Sequence, residues 1–159
     1  MTEKELELLE IAKSAISLNY HINAALTGSL MLSVRKIDKR RESTDIDILV
    51  KDINRIKKPD GYWQREIENE EEYEESQYSR FFENKDGIHL EFFEMNVNEQ
   101  IENINGIPCG SIKEMLDAKF QYWNESGNDK HYEDLKFLNY KFPEKYLEYL
   151  TTKYSIFTK

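Results

Sequence analysis

The stretch Asp45-Ile46-Asp47-Ile48-Leu49-Val50 narrows the possible folds more than any other part of the chain. Side chains along a strand alternate between two faces, so Ile46 and Ile48 anchor it in a core while Asp45 and Asp47 project together on the opposite side. Two neighbouring carboxylates on a rigid strand suit a divalent cation. The same Asp-x-Asp pattern also ends strands and caps helices, so its meaning depends on what accompanies it.

What precedes it is a strand, a turn and a helix. Asn23-Ala24-Ala25-Leu26-Thr27 reads as a short strand, Gly28-Ser29 breaks it, and Leu30-Met31-Leu32-Ser33-Val34 starts a helix. Gly28 permits close backbone approach and an unusual φ, and Ser29 offers a hydroxyl at a helix start whose amides face an anion. An ordinary turn with an N-cap has the same two residues. Lys36 to Arg41 holds four basic residues around Asp38 without apolar periodicity, and reads as an exposed helix end or loop with a solvated basic face.

Further elements follow from periodicity. Leu6 to Leu18 repeats apolar residues at three and four, the pattern of an amphipathic helix, with His21 at its end as a structural histidine or helix-end cation. Tyr78–Glu83 and Ile88–Phe93 flank Asn84-Lys85-Asp86-Gly87, whose Asp-Gly step predicts a hairpin. In its second strand Glu91 shares a face with His89, whereas Glu94 falls with Ile88, Leu90 and Phe92. Ser111 and Glu114 form a capping-box pattern that starts a helix running through Tyr122. After a break at Asn124 to Asn128, helices are expected over Tyr132–Leu138 and Pro143–Tyr154. The acidic run Glu66 to Glu75 reads as a solvated loop and is assigned no chemistry.

The expected architecture is α/β (α+β), a mixed sheet with flanking helices and a C-terminal helical extension. The 159 residues make one domain, with a core over about 1–97 and a helical part over about 98–159. No apolar run approaches the roughly 20 residues that span a bilayer, and the first residues lack the order of a secretory signal, so the expectation is a cytoplasmic protein without membrane contact. The single cysteine, Cys109, makes no internal disulfide. A formal charge of −9 argues against broad nucleic-acid binding.

Leu26-Thr27-Gly28-Ser29, the basic segment from Arg35 to Arg41, and Thr44-Asp45-Ile46-Asp47-Ile48-Leu49-Val50, in that order, resemble the signature of the DNA polymerase beta-like nucleotidyltransferase superfamily, particularly its small bacterial antibiotic-modifying and antitoxin-type members. The resemblance implies a nucleoside triphosphate held at Gly28 and Ser29, and Mg2+ or Mn2+ held by Asp45, Asp47 and a third carboxylate on a later strand. Leu90-Glu91-Phe92 fits that third element, with Glu94 as its alternative. Lys119, Lys130, His131 and Asp134 are similar to the C-terminal helical part of such proteins, where Lys119, like Arg41, would meet phosphates and Lys130 or Asp134 would organise nucleotide or acceptor. The interval from Ser29 to Asp45 exceeds the family's usual spacing, which predicts an extended helix or loop there. The implied activity is transfer of a nucleoside monophosphate to an acceptor hydroxyl with release of pyrophosphate. The acceptor class stays open among a small molecule, tRNA and protein. The alternative is a catalytically inactive interaction or antitoxin-like module on the same fold.

Overall fold

The computed structural model describes residues 1–69, 72 and 77–146. It opens with helix α1 (Glu3–Leu18), which begins where Thr2 satisfies the first turn. The Thr2 hydroxyl accepts from the Glu5 amide at 3.1 Å, and the Thr2 amide donates to the Glu5 carboxylate at 3.3 Å. That reciprocal pair closes two donors that a helix start otherwise leaves open. The buried face is Glu5, Leu8, Leu9, Ala12, Ala15 and Ile16, spaced at three and four. Leu6 and Leu18, which belong to the apolar pattern of the sequence, lie beside that stripe and are exposed, and an acid takes the stripe's first position.

Among the described residues, seven strands form one mixed sheet in the order β3-β4-β5-β2-β1-β7-β6. Their ranges are β1 Ala25–Thr27, β2 Ile46–Val50, β3 Tyr62–Gln64, β4 Ser79–Asn84, β5 His89–Glu94, β6 Glu102–Ile104 and β7 Ile107–Cys109. Short helix α2 (Gly28–Val34) follows β1 directly. Strand β2 is central: it runs antiparallel to β1 and parallel to β5. The alternation of its sequence sorts its two faces. Ile46, Ile48 and Val50 are fully buried with Leu90 and Phe92 of β5, under Leu8, Ala12 and Ala15 of α1 and Leu30, Met31 and Val34 of α2. Asp47 and Leu49 face the other way and are half-buried.

The hairpin β4–β5 forms where the Asp-Gly step predicts it: Gly87 takes φ 75° and its amide returns to the Asn84 carbonyl at 3.0 Å. Three strands go beyond the sequence expectation. β3 adds to the outside of β4, and β6–β7 is a hairpin around Asn105-Gly106, both at positive φ. Because β7 pairs parallel with β1, residues 102–109 belong to the sheet and not to the helical part in which the sequence division places them.

Helices α3 (Ile112–Ser126) and α4 (Asp129–Phe137) follow, joined by Gly127 in the left-handed conformation and Asn128, whose side chain caps α4. Ser111 caps α3 as expected, accepting from the Glu114 amide at 3.0 Å. The reciprocal half of that capping box is made by another residue: the Ser111 amide donates to Glu99, while Glu114 accepts from Asn96. Trp123 and Tyr132 form a second small core with Phe120, Phe142 and Tyr146, whose rings meet mostly edge to face. Of the expected helix over Pro143–Tyr154 only a short turn, Glu144–Tyr146, is described. The remainder, and most of the second half of the acidic run, lie outside the described residues. Among the described residues no helix is long and apolar enough to cross a membrane.

Glu5 is 4% exposed and accepts hydrogen bonds from Ser33 at 2.9 Å, from the Ser43 amide at 3.1 Å and from the Lys39 ammonium. Burial pushes its carboxyl up, but Lys39 and the surrounding N–H and O–H donors outweigh burial and hold it at about 2 instead of the usual 4.5. A depressed folded-state value contributes stability that is complete above the unfolded value and is lost as pH falls through the folded one. Urea unfolding across pH should therefore show stability falling as pH drops from about 4.5 toward about 2. In Glu5→Gln that fall should be shallower, and stability at pH 7 lower by about 3 kcal/mol because Lys39 is left half-buried without its anion.

Candidate active site

The register of three strands places the acids. Thr27 on β1 pairs with Asp47 on β2, Asp47 pairs with Glu91 on β5, and Glu91 pairs with Phe81 on β4. Paired residues share a face, so Thr27, Asp47, Glu91 and Phe81 form one row across the sheet. All four line a cleft of about 390 Å3. The next row along, Leu49 and Phe93, makes its apolar floor. Glu91 rather than Glu94 faces this space: Glu94 ends β5 opposite Val50 and is exposed.

Gly28 sits against the acid row. Its φ is 72°, and a Cβ at that position would lie 2.2 Å from the Asp47 carboxylate oxygen Oδ2. Both the backbone conformation and the contact require the absence of a side chain. The helix expected to open at Ser29 opens one residue earlier, with Thr27 at the N-cap position and no side-chain cap. It is one short element of seven residues, so the long interval to Asp45 is spanned chiefly by irregular chain. Ser29 lines the cleft and its hydroxyl lies 2.6 Å from that of Ser43, a buried residue.

Asp45 precedes β2 and is more than half exposed. Its carboxylate lies 3.8 Å from His89 Nδ1, and the other ring nitrogen of His89 lies 3.5 Å from Glu83. Among the described residues no three His, Cys, Asp or Glu side chains already converge as metal ligands. The donor chemistry of Asp45, Asp47 and Glu91 nevertheless fits a hard cation, which takes carboxylate oxygen. Asp47 and Glu91 hold adjacent register positions, and the exposure of Asp45 leaves its side chain room to turn from His89 toward them.

The opposite wall is helical. Glu114, Met115, Ala118, Lys119 and Tyr122 recur at the spacing of one helix face and line the cleft from α3, joined by Lys130 and His131 of α4. Lys119 and Arg41 both reach the cleft, and both bind Asp134 at 3.1 Å, which also takes Arg40 at 2.9 Å. Burial pushes the Asp134 carboxyl up, but Lys119, Arg40 and Arg41 outweigh it and hold the group below its usual range. Asp134 thus fastens the loop before β2 to both C-terminal helices.

The basic segment is only in part the solvated face expected from its composition: Lys36, Arg40 and Arg41 are exposed, but two of its cations are turned inward. Arg35 is 11% exposed, donates to the Gly110 carbonyl at 2.7 Å and faces Glu102, while Lys39 is turned inward onto Glu5. Each has an acceptor close by in the fold, which sequence distance concealed. His21 lies in a short turn after α1, its Nε2 3.0 Å from the Arg55 carbonyl, away from the cleft. Cys109 is buried in β7, where burial pushes its thiol up.

Sequence reasoning missed several lining residues. Glu72, from the run assigned no chemistry, reaches the cleft and is gripped by Arg65 through two hydrogen bonds of 3.1 and 2.8 Å that lower its carboxyl's pKa. Glu99 lines the far end, its carboxyl pushed up by burial and by neighbouring Glu114 despite the Ser111 amide. Neither lies in a motif. Only the fold brings them to the cleft.

No protein-family model and no curated protein matches the chain. Among solved structures it is similar to the crystal structure of JHP933 from Helicobacter pylori, at a TM-score of 0.42 and 15% identity, over 75% of this chain. The chain spans 57% of that protein's length.

Gly28→Ala tests the close approach at the acid row. The left-handed backbone costs about 1–2 kcal/mol for a residue with a side chain, and the Asp47 carboxylate must also move. Denaturant unfolding should show a loss of at least that size. Gly61→Ala is the control, since φ there is 84° and a Cβ would meet nothing within 4 Å. An equal loss at Gly61 would mean that backbone strain alone is felt at Gly28.

Proposed function

We propose that this chain is a metal-dependent nucleotidyltransferase, moving a nucleoside monophosphate from a nucleoside triphosphate to an acceptor hydroxyl with release of pyrophosphate. One observation carries the reading: Gly28, packed on Asp47, and the register-paired Asp47 and Glu91 occupy one wall of a cleft whose other wall presents Lys119. The resemblance of the Leu26–Ser29 and Asp45–Val50 segments to the polymerase beta-like superfamily supports the same assignment. The cleft's volume lies within the roughly 300–1,000 Å3 common for small-molecule sites.

On this reading Asp45, Asp47 and Glu91 are the residues that would hold Mg2+ or Mn2+, which when bound neutralises charge on the triphosphate. Gly28 keeps the backbone clear of side-chain bulk beside Asp47, so a phosphate can approach the main chain. Ser29 supplies a hydroxyl to a phosphate oxygen, and Arg41 and Lys119 supply positive charge across from the acids. The Leu49 and Phe93 floor gives an apolar surface on which a base or an acceptor body rests. Holding both reactants in one cleft turns a two-molecule encounter into an oriented one. Small-molecule, tRNA and protein acceptors all remain consistent with this arrangement. A second reading keeps the fold without the chemistry, as an interaction module of antitoxin type, and it predicts no metal-linked nucleotide binding.

Calorimetric titration of ATP, GTP, CTP and UTP, with and without Mg2+, separates the two. The transferase reading expects at least one nucleotide to bind in a Mg2+-dependent way. Asp47→Asn should abolish that dependence, and Lys119→Ala should weaken binding about tenfold, the loss of one charge-assisted hydrogen bond. Absence of any metal-linked binding by the parent protein overturns it.

A further inference from the structure

The buried acid of α1 lies far from the cleft in sequence but is connected to it by a continuous chain of polar contacts. Glu5 binds Lys39, whose ammonium donates to the Ser43 hydroxyl at 2.7 Å and lies 3.5 Å from the Ser29 hydroxyl. The hydroxyls of Ser43 and Ser29 are 2.6 Å apart. Ser33, one helical turn after Ser29, also donates to Glu5, and so does the Ser43 amide. The carboxylate therefore fixes α2, the loop carrying Lys39, and the residue that touches Ser29.

We propose that Glu5, Lys39 and Ser43 form a positioning relay that orients the Ser29 hydroxyl as a hydrogen-bond donor into the cleft. The inference rests on the nucleotide-binding reading of that cleft. Its physical basis is the direction in which each group can donate. An ammonium has three donors and no acceptor, so the Ser43 oxygen accepts from Lys39. Each serine has one proton, and the two hydroxyls are close enough to share only one hydrogen bond in one direction at a time. Lys39 stands nearer to Ser43, at 2.7 Å, than to Ser29, at 3.5 Å, so it engages the Ser43 lone pairs more strongly and favours the Ser43 proton being given to Ser29. Ser29 then accepts from Ser43 and keeps its own proton for an anion in the cleft. Reversal of the pair would spend the Ser29 proton on Ser43 and present lone pairs to a phosphate. Glu5 matters because it holds the Lys39 ammonium, 15% exposed, at the point where it sets that direction.

A double-mutant cycle on Mg2+-nucleotide affinity tests the relay. Ser43→Ala is expected to weaken binding about fivefold to tenfold, the size of one hydrogen bond to a charged group. Ser43→Thr, which retains the hydroxyl, should restore most of it. Glu5→Gln should weaken binding similarly, and where this variant does not fold, Ser43→Ala carries the test alone. In a Ser29→Ala background neither change should cost anything further, because the proton they orient is gone. Equal losses with and without Ser29 overturn the relay and leave a general structural role, as does a Ser43→Ala protein that binds like the parent. A parent protein that binds no nucleotide overturns the relay together with the reading on which it rests. Binding by the parent that withstands Ser43→Ala overturns the relay only.

Discussion

Strand β2 has to satisfy two environments at once, and the two-residue period of a strand lets it do so. Ile46, Ile48 and Val50 are fully buried against α1 and α2, which fixes the strand's position and its register with β1 and β5. A slip of one residue would turn Asp47 into that apolar core and expose three large aliphatic side chains, at a cost of several kcal/mol. The hydrophobic face therefore determines where the acid face points. Asp47 meets Glu91 because Ile46 meets Leu90 and Ile48 meets Phe92. The same register brings Thr27 alongside Asp47, so that the chain leaves β1 through Gly28, against the carboxylate.

The cleft that results is strongly acidic. Among the described residues, seven Asp and Glu side chains line it, against Arg41, Lys119 and Lys130. Two of those three cations are already bound to Asp134. A polyphosphate entering such a space meets repulsion from one wall and partly neutralised cations on the other, so positive charge has to accompany it. That balance favours a metal-linked nucleotide over a bare anion on the proposed reading.

How much of this the sequence discloses depends on the range of each interaction. Period and turn chemistry are local, so α1, β2, the β4–β5 hairpin, the Ser111 cap and the facing of Glu91 are readable from neighbouring residues. The Asn105-Gly106 hairpin is equally local but escapes such a reading, because its flanking strands have three residues each and Pro108 sits in one of them. The partners of buried charges are not readable. Nothing near Glu5 in sequence indicates that Ser33, Lys39 and Ser43 surround it, and a basic run such as Lys36 to Arg41 has the composition of a solvated face whether or not acids lie across from it. Glu72 and Glu99 reach the cleft through tertiary placement alone.

Asp134 links these local and distant effects. It is a single carboxylate, largely buried, holding three cations from two parts of the chain. The excess of positive charge around it means that Arg41 and Lys119 are not fully neutralised, and they retain attraction for an anion in the cleft. The same ion pairs hold α3 and α4 against the loop that precedes the acid strand, so the helical wall and the acid wall share one fastening. An anion that drew Arg41 and Lys119 toward itself would compete with Asp134 for them and slacken that fastening, while Arg40 would keep its contact. On the proposed reading, anion binding would thereby be coupled to the closeness of the two walls through one side chain.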